Sequence, residues 1–160
     1  MVYPVTKVYG NAMTFMLNGY GQNWAAVPGT SPIGVALFTN TYVPNQDADV
    51  TFGSLNGAAE SVATGYARYR LTGTYLATDA PGNMLTLDTA TNPHWNVSSN
   101  LTFRYVVYYY DDTASTSINS CALIAYTDYL ANITVTASSG THADVTFPLP
   151  VNGIFQFHTD

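Results

Sequence analysis

The segment of this chain that comes closest to metal chemistry is a short acidic stretch. The run from Asn45 to Asp49, NQDAD, places side-chain oxygens at alternate positions, as the opening of a calcium-binding loop does. Such a loop then requires glycine at its sixth position and glutamate at its twelfth, where this chain has Val50 and Asn56. We therefore expect a solvated turn here and assign no metal ligands.

The other residues that could ligate a metal or act as nucleophiles are isolated in the sequence. The three histidines, His94, His142 and His158, have no second histidine or cysteine at ligand spacing. The single cysteine, Cys121, begins the apolar run CALIA, which favours a buried and inert thiol. No G-x-S-x-G motif is present for a serine nucleophile.

Acid–base catalysis by paired carboxylates is also not indicated. Asp111 and Asp112 are adjacent, at a point where a hairpin should turn, so we expect their side chains to diverge into water. Glu60 is the only glutamate and has no evident partner, whereas glycoside hydrolysis needs two acids that face each other across a cleft. We expect no catalytic residues, no cofactor and no enzymatic activity.

The informative residues are instead aromatic. Tyr108, Tyr109 and Tyr110 are consecutive, and because neighbours in a strand alternate between faces they cannot all point into one core. Trp24 and Trp95 lie in segments rich in Asn or Gly. Three interpretations stay open: a core that covers both faces of a sheet, a protein interface, or a platform on which sugar rings stack. We take Tyr108, Tyr110, Trp95 and Trp24 as candidate interface residues.

Two arginines complete the set of candidate interface residues. Arg68 and Arg70 are two positions apart on a predicted strand, so they share a face. One interpretation is a polar outer face with acidic partners in the same chain. The other is a contact between subunits, with acidic loops such as Asp111-Asp112 as the partner, because an arginine–carboxylate pair fixes register well.

The elements that must hold these residues are predicted to be strands. The clearest is Leu101–Tyr110, in which Leu101, Phe103, Tyr105, Val107 and Tyr109 are expected on one face. The remaining predicted strands are 12–17, 33–39, 49–52, 67–76, 84–87, 121–127, 132–137, 144–147 and 153–157. Only residues 57–63 favour helix, for one short turn.

The fold class expected from this pattern is all-β. Pro- and Gly-containing turns separate about 8–10 short strands, which predicts an antiparallel β-sandwich or jelly-roll-like barrel with little or no helix. The 160 residues form a single domain, with a β-sandwich body over residues 33–160. Residues 1–32 are expected to be an N-terminal strand or arm that contacts a neighbouring subunit.

Charge excludes one class of partner. The chain carries a formal charge of −6 with only four Lys and Arg residues, so it lacks the basic surface that nucleic acid requires. Residues 1–7 do not resemble a signal peptide, and no run of about 18 apolar residues suggests a membrane span. We expect synthesis in a cytoplasm and no membrane association.

Several short motifs resemble a recurrent family of small β-rich structural proteins from the virions of tailed bacteriophages. These motifs occur in the family's order over residues 33–157: GVALFT at 34–39, YVPNQD at 42–47, ATGY at 63–66, Trp95 followed by LTFRY at 101–105, LIAY at 123–126 and GIFQF at 153–157. The resemblance implies a capsid decoration or minor head protein without catalytic residues. Two features depart from the family pattern: residues 67–70 continue as a strand, and the hairpin at 105–110 is richer in tyrosine.

The resulting expectation is a decoration or cement protein that binds the major capsid protein, associates as a trimer and stabilises the shell. It would be assembled in the host cytoplasm and found in the virion. The alternatives are a glycan-binding β-sandwich on a capsid or tail surface, used for host adhesion, and a tail or baseplate component.

Overall fold

The computed structural model describes residues 4–17, 33–72, 74–79, 84–89, 92–111, 117–137, 142–147 and 155–158. Within these residues lie ten strands, β1 to β10, and one helix, α1. The strands are Val5–Val8, Ile33–Phe38, Tyr69–Arg70, Thr74–Asp79, Met84–Thr89, His94–Val97, Leu101–Tyr110, Leu123–Val135, Ala143–Thr146 and Phe155–His158. Helix α1 spans Gly10–Leu17, and short 3₁₀ turns occupy Phe52–Ser54, Gly57–Ala59 and Ile118–Ser120.

The strands form three antiparallel sheets, so the predicted all-β class is confirmed. The central sheet has the order β1-β8-β7-β2-β3. A three-stranded sheet has the order β10-β5-β4, and β6 pairs with β9 in a two-stranded ribbon.

The central sheet is buried on both faces. One face packs against the β6–β9 ribbon, and we call the side chains between them the ribbon layer. Its buried members are Ile33, Val35, Leu37, Leu71, Trp95, Val97, Leu101, Phe103, Val106, Tyr108, Ile124, Ala125, Val145 and Phe147. The opposite face is covered by the start of α1 and by residues 42–59, and we call this side the tyrosine layer. Its buried members are Tyr9, Ala36, Phe38, Tyr42, Phe52, Leu55, Ala59, Tyr105, Val107, Tyr109, Cys121, Leu123 and Tyr126.

The strand predicted at 101–110 is confirmed, but its expected single apolar face is wrong. Leu101 and Phe103 point into the ribbon layer, whereas Tyr105, Val107 and Tyr109 point into the tyrosine layer. The pairing between β7 and β8 is irregular between Phe103 and Tyr105, and an irregularity of this kind shifts the alternation of side chains by one position.

Helix α1 corrects the expectation of a strand over 12–17, while one helix of eight residues is consistent with the predicted all-β class. Tyr9 and Ala12 are buried, while Gly10 and Thr14 are exposed, which is a helical spacing rather than an alternation of two. The N-terminal residues expected to form an arm contribute β1 and α1 to the body of this chain. Residues 18–32, including Trp24, lie outside the described residues.

Other predicted boundaries also shift. The strand expected over 49–52 is a single bridge, Thr51 with Ala122, followed by a 3₁₀ turn. The strand expected over 67–76 is divided into β3 and β4, and those expected over 121–127 and 132–137 merge into β8. Strands β1 and β6, over Val5–Val8 and His94–Val97, are absent from the predicted set.

Candidate interaction surface

Arg68 lies just before edge strand β3 and is held by two side chains, Glu60 and Phe52. Its guanidinium donates two hydrogen bonds to Glu60, Nε to Oε1 at 2.9 Å and Nη2 to Oε2 at 2.7 Å, and lies 4.5 Å from the centroid of the Phe52 ring. The hydrogen bond to Glu60 raises the pKa of Arg68. Glu60 therefore pairs with Arg68. The sequence did not reveal this pair, because the two residues are eight positions apart and meet only where the chain folds back along the edge of the sheet.

Tyr66 connects this ion pair to the sheet. Its hydroxyl donates to Glu60 Oε1 at 3.2 Å and accepts a hydrogen bond from the Leu37 backbone N–H at 2.9 Å. Burial raises the pKa of Tyr66 well above its ordinary value. The carboxylate of Glu60 thus receives bonds from both Tyr66 and Arg68, which makes it a structural acceptor rather than a free acid.

Arg70 finds its acidic partner within the same chain. Its Nη2 donates to the Asp111 carbonyl oxygen at 3.1 Å, and its Nε lies 3.9 Å from Asp111 Oδ2. This contact agrees with the interpretation of a polar outer face with acidic partners in the same chain, because β2 lies between β3 and β7 and brings the end of β7 within reach of Arg70. Both arginine side chains remain more than a third exposed, at 36% for Arg68 and 39% for Arg70, so a role in an interface stays a prediction.

The aromatic candidates are placed very differently from the arginines. Trp95 and Tyr108 are buried in the ribbon layer, and the Trp95 indole donates a hydrogen bond to the Ala67 carbonyl oxygen. Tyr110 is partly buried against the same layer, and Trp24 lies outside the described residues. Of the three interpretations left open, the core that covers both faces of the sheet is confirmed for Trp95 and Tyr108, and their assignment as interface residues is wrong, because the β6–β9 ribbon covers that face. Neither ring is open to a sugar or to a protein partner.

The acidic run at 45–49 folds into a turn that uses its own oxygens. Asn45 Oδ1 accepts hydrogen bonds from the backbone N–H groups of Asp47 and Ala48. Asp49 Oδ2 accepts from the Asn45 N–H at 2.8 Å and from the Tyr42 hydroxyl at 2.6 Å. These bonds support the interpretation of the run as an ordinary turn.

A buried polar network beneath this turn was missed by sequence reasoning. The Tyr42 hydroxyl also lies 3.1 Å from the hydroxyl of Tyr9, which is fully buried. Desolvation raises the pKa values of both tyrosines, and the nearby Asp49 carboxylate raises them further. The sequence signal is slight: a single Asp seven positions after a Tyr, in a segment that shows no strand or helix period.

A further pair of ionisable side chains, His94 and Asp144, lies on the surface of the β6–β9 ribbon. Asp144 Oδ1 lies 3.3 Å from His94 Nε2 and accepts from Asn96 Nδ2 at 2.8 Å. Among the described residues, no three His, Cys, Asp or Glu side chains lie close enough to share a metal ion. Cys121 is buried in the tyrosine layer. No helix in the described residues is both long and apolar enough to cross a membrane.

Comparison with known proteins gave no match: no protein-family model, no curated protein and no solved structure is similar to this chain. Its function must therefore be argued from the residues and the geometry described above.

Proposed function

We propose that this chain is a non-enzymatic structural protein of a tailed-phage virion, a decoration or cement protein that binds the major capsid protein and stabilises the shell. The observation that carries the structural role is the use of its aromatic residues. They form two internal layers on either side of one sheet, with repeated edge-to-face contacts such as Phe103–Phe147 at 4.8 Å and Phe52–Tyr109 at 4.8 Å between ring centroids.

The polar groups support the same interpretation. Glu60, Asp111 and Asp128 each pair with an arginine at or near the surface, and Asp49 is bonded within its turn. Catalytic groups usually converge in a cleft with perturbed protonation, whereas these pairs are dispersed and serve to position strands and loops.

The assignment to a virion is supported by the order of the short motifs. In the structure these motifs supply β2, β10, much of β7 and the start of β8, together with Tyr66 and Trp95, whose rings lie 6.0 Å apart. The resemblance therefore concerns positions that build the body of the protein.

Copy number in purified particles tests the proposal. If the chain decorates a shell, quantitative mass spectrometry of particles produced from the encoding genome should find it at a simple ratio to the major capsid protein. Particles prepared without the chain should lose heat resistance and regain it when the purified protein is added. Sedimentation of the free protein measures whether it forms the expected trimer.

Two results would contradict the proposal. Absence from purified particles would end the virion assignment. A constant copy number far below that of the shell protein would instead place the chain in the tail or baseplate.

A further inference from the structure

Strand β8 contains an insertion that interrupts its pairing with β7. Phe103 pairs with Ile133 and Tyr105 pairs with Asp128, so a step of two residues on β7 corresponds to a step from 133 to 128 on β8. The β8 residues between these two pairs, 129–132, form what we call the β8 bulge. An ordinary bulge inserts one residue, and larger ones are often used to direct a side chain.

One side of the β8 bulge is fixed by an ion pair. Arg104 donates two hydrogen bonds to Asp128, Nε to Oδ1 at 2.9 Å and Nη2 to Oδ2 at 3.1 Å, and its guanidinium lies 4.9 Å from the Tyr105 ring centroid. The same Asp128 Oδ1 accepts a hydrogen bond from the Leu130 backbone N–H at 2.6 Å. Burial opposes ionisation of Asp128, but the bonds from Arg104 and Leu130 outweigh it and lower the pKa of this carboxyl.

The other side of the bulge is fixed by packing and by the loop after β2. The Tyr129 ring contacts Phe103 and Phe147 in the ribbon layer, with ring centroids 5.8 and 6.1 Å apart. Asn132 Oδ1 accepts a hydrogen bond from the Asn40 backbone N–H at 3.2 Å. The conformation of the bulge is thus determined from both sides before any partner binds.

Within the β8 bulge, Leu130 combines an unfavourable backbone conformation with an apolar side chain that is exposed to solvent. Its φ is +69°, and it is the only non-glycine residue with positive φ in the described part of the chain. Glycine and asparagine adopt this conformation more readily than leucine does. Its side chain is also 41% exposed. A large apolar residue at this position therefore costs the isolated chain stability without contributing to its core.

The surroundings of Leu130 indicate the chemistry of a partner. Val5, which is 45% exposed, lies opposite Asp128 in the register of β1 and β8. Lys7 lies on β1 with Val5, and its positive charge helps to lower the pKa of Asp128. Two of the chain's four basic residues, Lys7 and Arg104, thus lie near Asp128, two positions before Leu130, and leave this part of the surface with a net positive charge in a protein of net charge −6. This surface fits an apolar pocket with carboxylates at its rim.

We propose that the β8 bulge is a preformed docking knob, in which Leu130 inserts into an acid-rimmed apolar pocket of the shell protein. This inference rests on the proposed function and specifies its contact. Because the bulge is already ordered, binding requires little further loss of conformational entropy. One such contact is small, so many copies on one shell would supply the strength.

The test separates the stability of the chain from its binding. In Leu130→Asn the new residue suits positive φ and removes the apolar group, so thermal unfolding of the free protein should occur at the same or a higher temperature. Binding to shells that lack the chain, measured by co-sedimentation, should weaken about 10- to 100-fold, which corresponds to loss of one buried leucine side chain. Leu130→Met should bind within a few-fold of the original protein.

Val62→Asn is the matched control, because Val62 is 87% exposed and has an ordinary backbone conformation, so its replacement should leave binding unchanged. If Leu130→Asn lowers the unfolding temperature by several degrees, the leucine serves its own fold and the inference is wrong. If the original protein binds shells and Leu130→Asn binds equally well, the inference fails while the proposed function stands. If the original protein binds no shells, both fail.

Discussion

At the scale of single residues, one position where the chain leaves no room for a side chain is a glycine. Gly34 on β2 lies opposite Tyr109 on β7, and a Cβ at Gly34 would lie 2.2 Å from Tyr109 Cζ. The Tyr109 ring cannot retreat freely, because Phe52 packs edge-on against it. Gly34→Ala should therefore lower the free energy of unfolding by about 1–3 kcal/mol, the usual cost of overpacking a filled core. Urea denaturation measures the effect.

Gly57→Ala provides the control for that substitution. A Cβ at Gly57 meets no atom within 4 Å, so this change should alter stability by no more than about 0.5 kcal/mol. Equal effects of the two substitutions would mean that backbone entropy, and not contact with Tyr109, decides the role of Gly34. A second variant, Gly34→Ala with Tyr109→Leu, should recover part of the loss if the ring is the obstacle.

At the scale of strands, the sequence predicts which segments are extended better than it predicts where their side chains point. Leu101–Tyr110 consists almost entirely of β-branched and aromatic residues, so its strand is evident. The change of face between Phe103 and Tyr105 depends on residues 128–133 of another strand, and nothing within 101–110 records it. Val5–Val8 becomes a strand only because β8 offers it an edge. Tertiary pairing, rather than local preference, decides such features.

The ion pair beside the β8 bulge gives a prediction about local order. The Arg104 and Asp128 side chains are partly exposed, at 28% and 18%, so Arg104→Met should change global stability by no more than about 1 kcal/mol. Without Arg104, the Asp128 carboxylate would no longer be held in place. The Leu130 N–H, which donates a hydrogen bond to this carboxylate, should therefore exchange with solvent faster. Hydrogen exchange followed by NMR measures this.

Arg70→Met is the comparison for that experiment, because Arg70 pairs with Asp111 at the opposite edge of the sheet. It should leave exchange of the Leu130 amide unchanged. Faster exchange across the whole of β8 in the Arg104 variant would instead show that the pair holds the strand as a unit.

At the scale of the whole molecule, the sequence indicates an aromatic protein of low charge but does not reveal where the rings lie. A tyrosine looks the same in the sequence whether it lies at the surface or in the core. Among the described residues, the β6–β9 ribbon, the start of α1 and residues 42–59 bury the tyrosines of the central sheet. For this reason the sequence alone left both a two-sided core and an exposed surface open for Trp95 and Tyr108. The Leu130 surface was missed because one leucine in a strand gives no sign of its backbone conformation.

The buried tyrosines also make the whole fold sensitive to alkali. Burial is the main cause that raises the pKa values of five of them, Tyr9, Tyr42, Tyr66, Tyr108 and Tyr109. Below about pH 10 these hydroxyls are protonated in both states, and stability is unaffected. Above it the unfolded chain releases protons that the folded chain retains, so each group lowers the free energy of unfolding by about 1.4 kcal/mol per pH unit.

Five such groups together remove about 7 kcal/mol per pH unit, which is comparable to the entire stability of an ordinary domain. We therefore expect unfolding to be complete within one to two units above about pH 10. Tyrosinate absorbance should rise in one step, together with the loss of near-ultraviolet circular dichroism. In guanidinium the same absorbance should follow a simple titration near pH 10. Full ionisation of the tyrosines while the dichroism persists would show that the two aromatic layers are open to water.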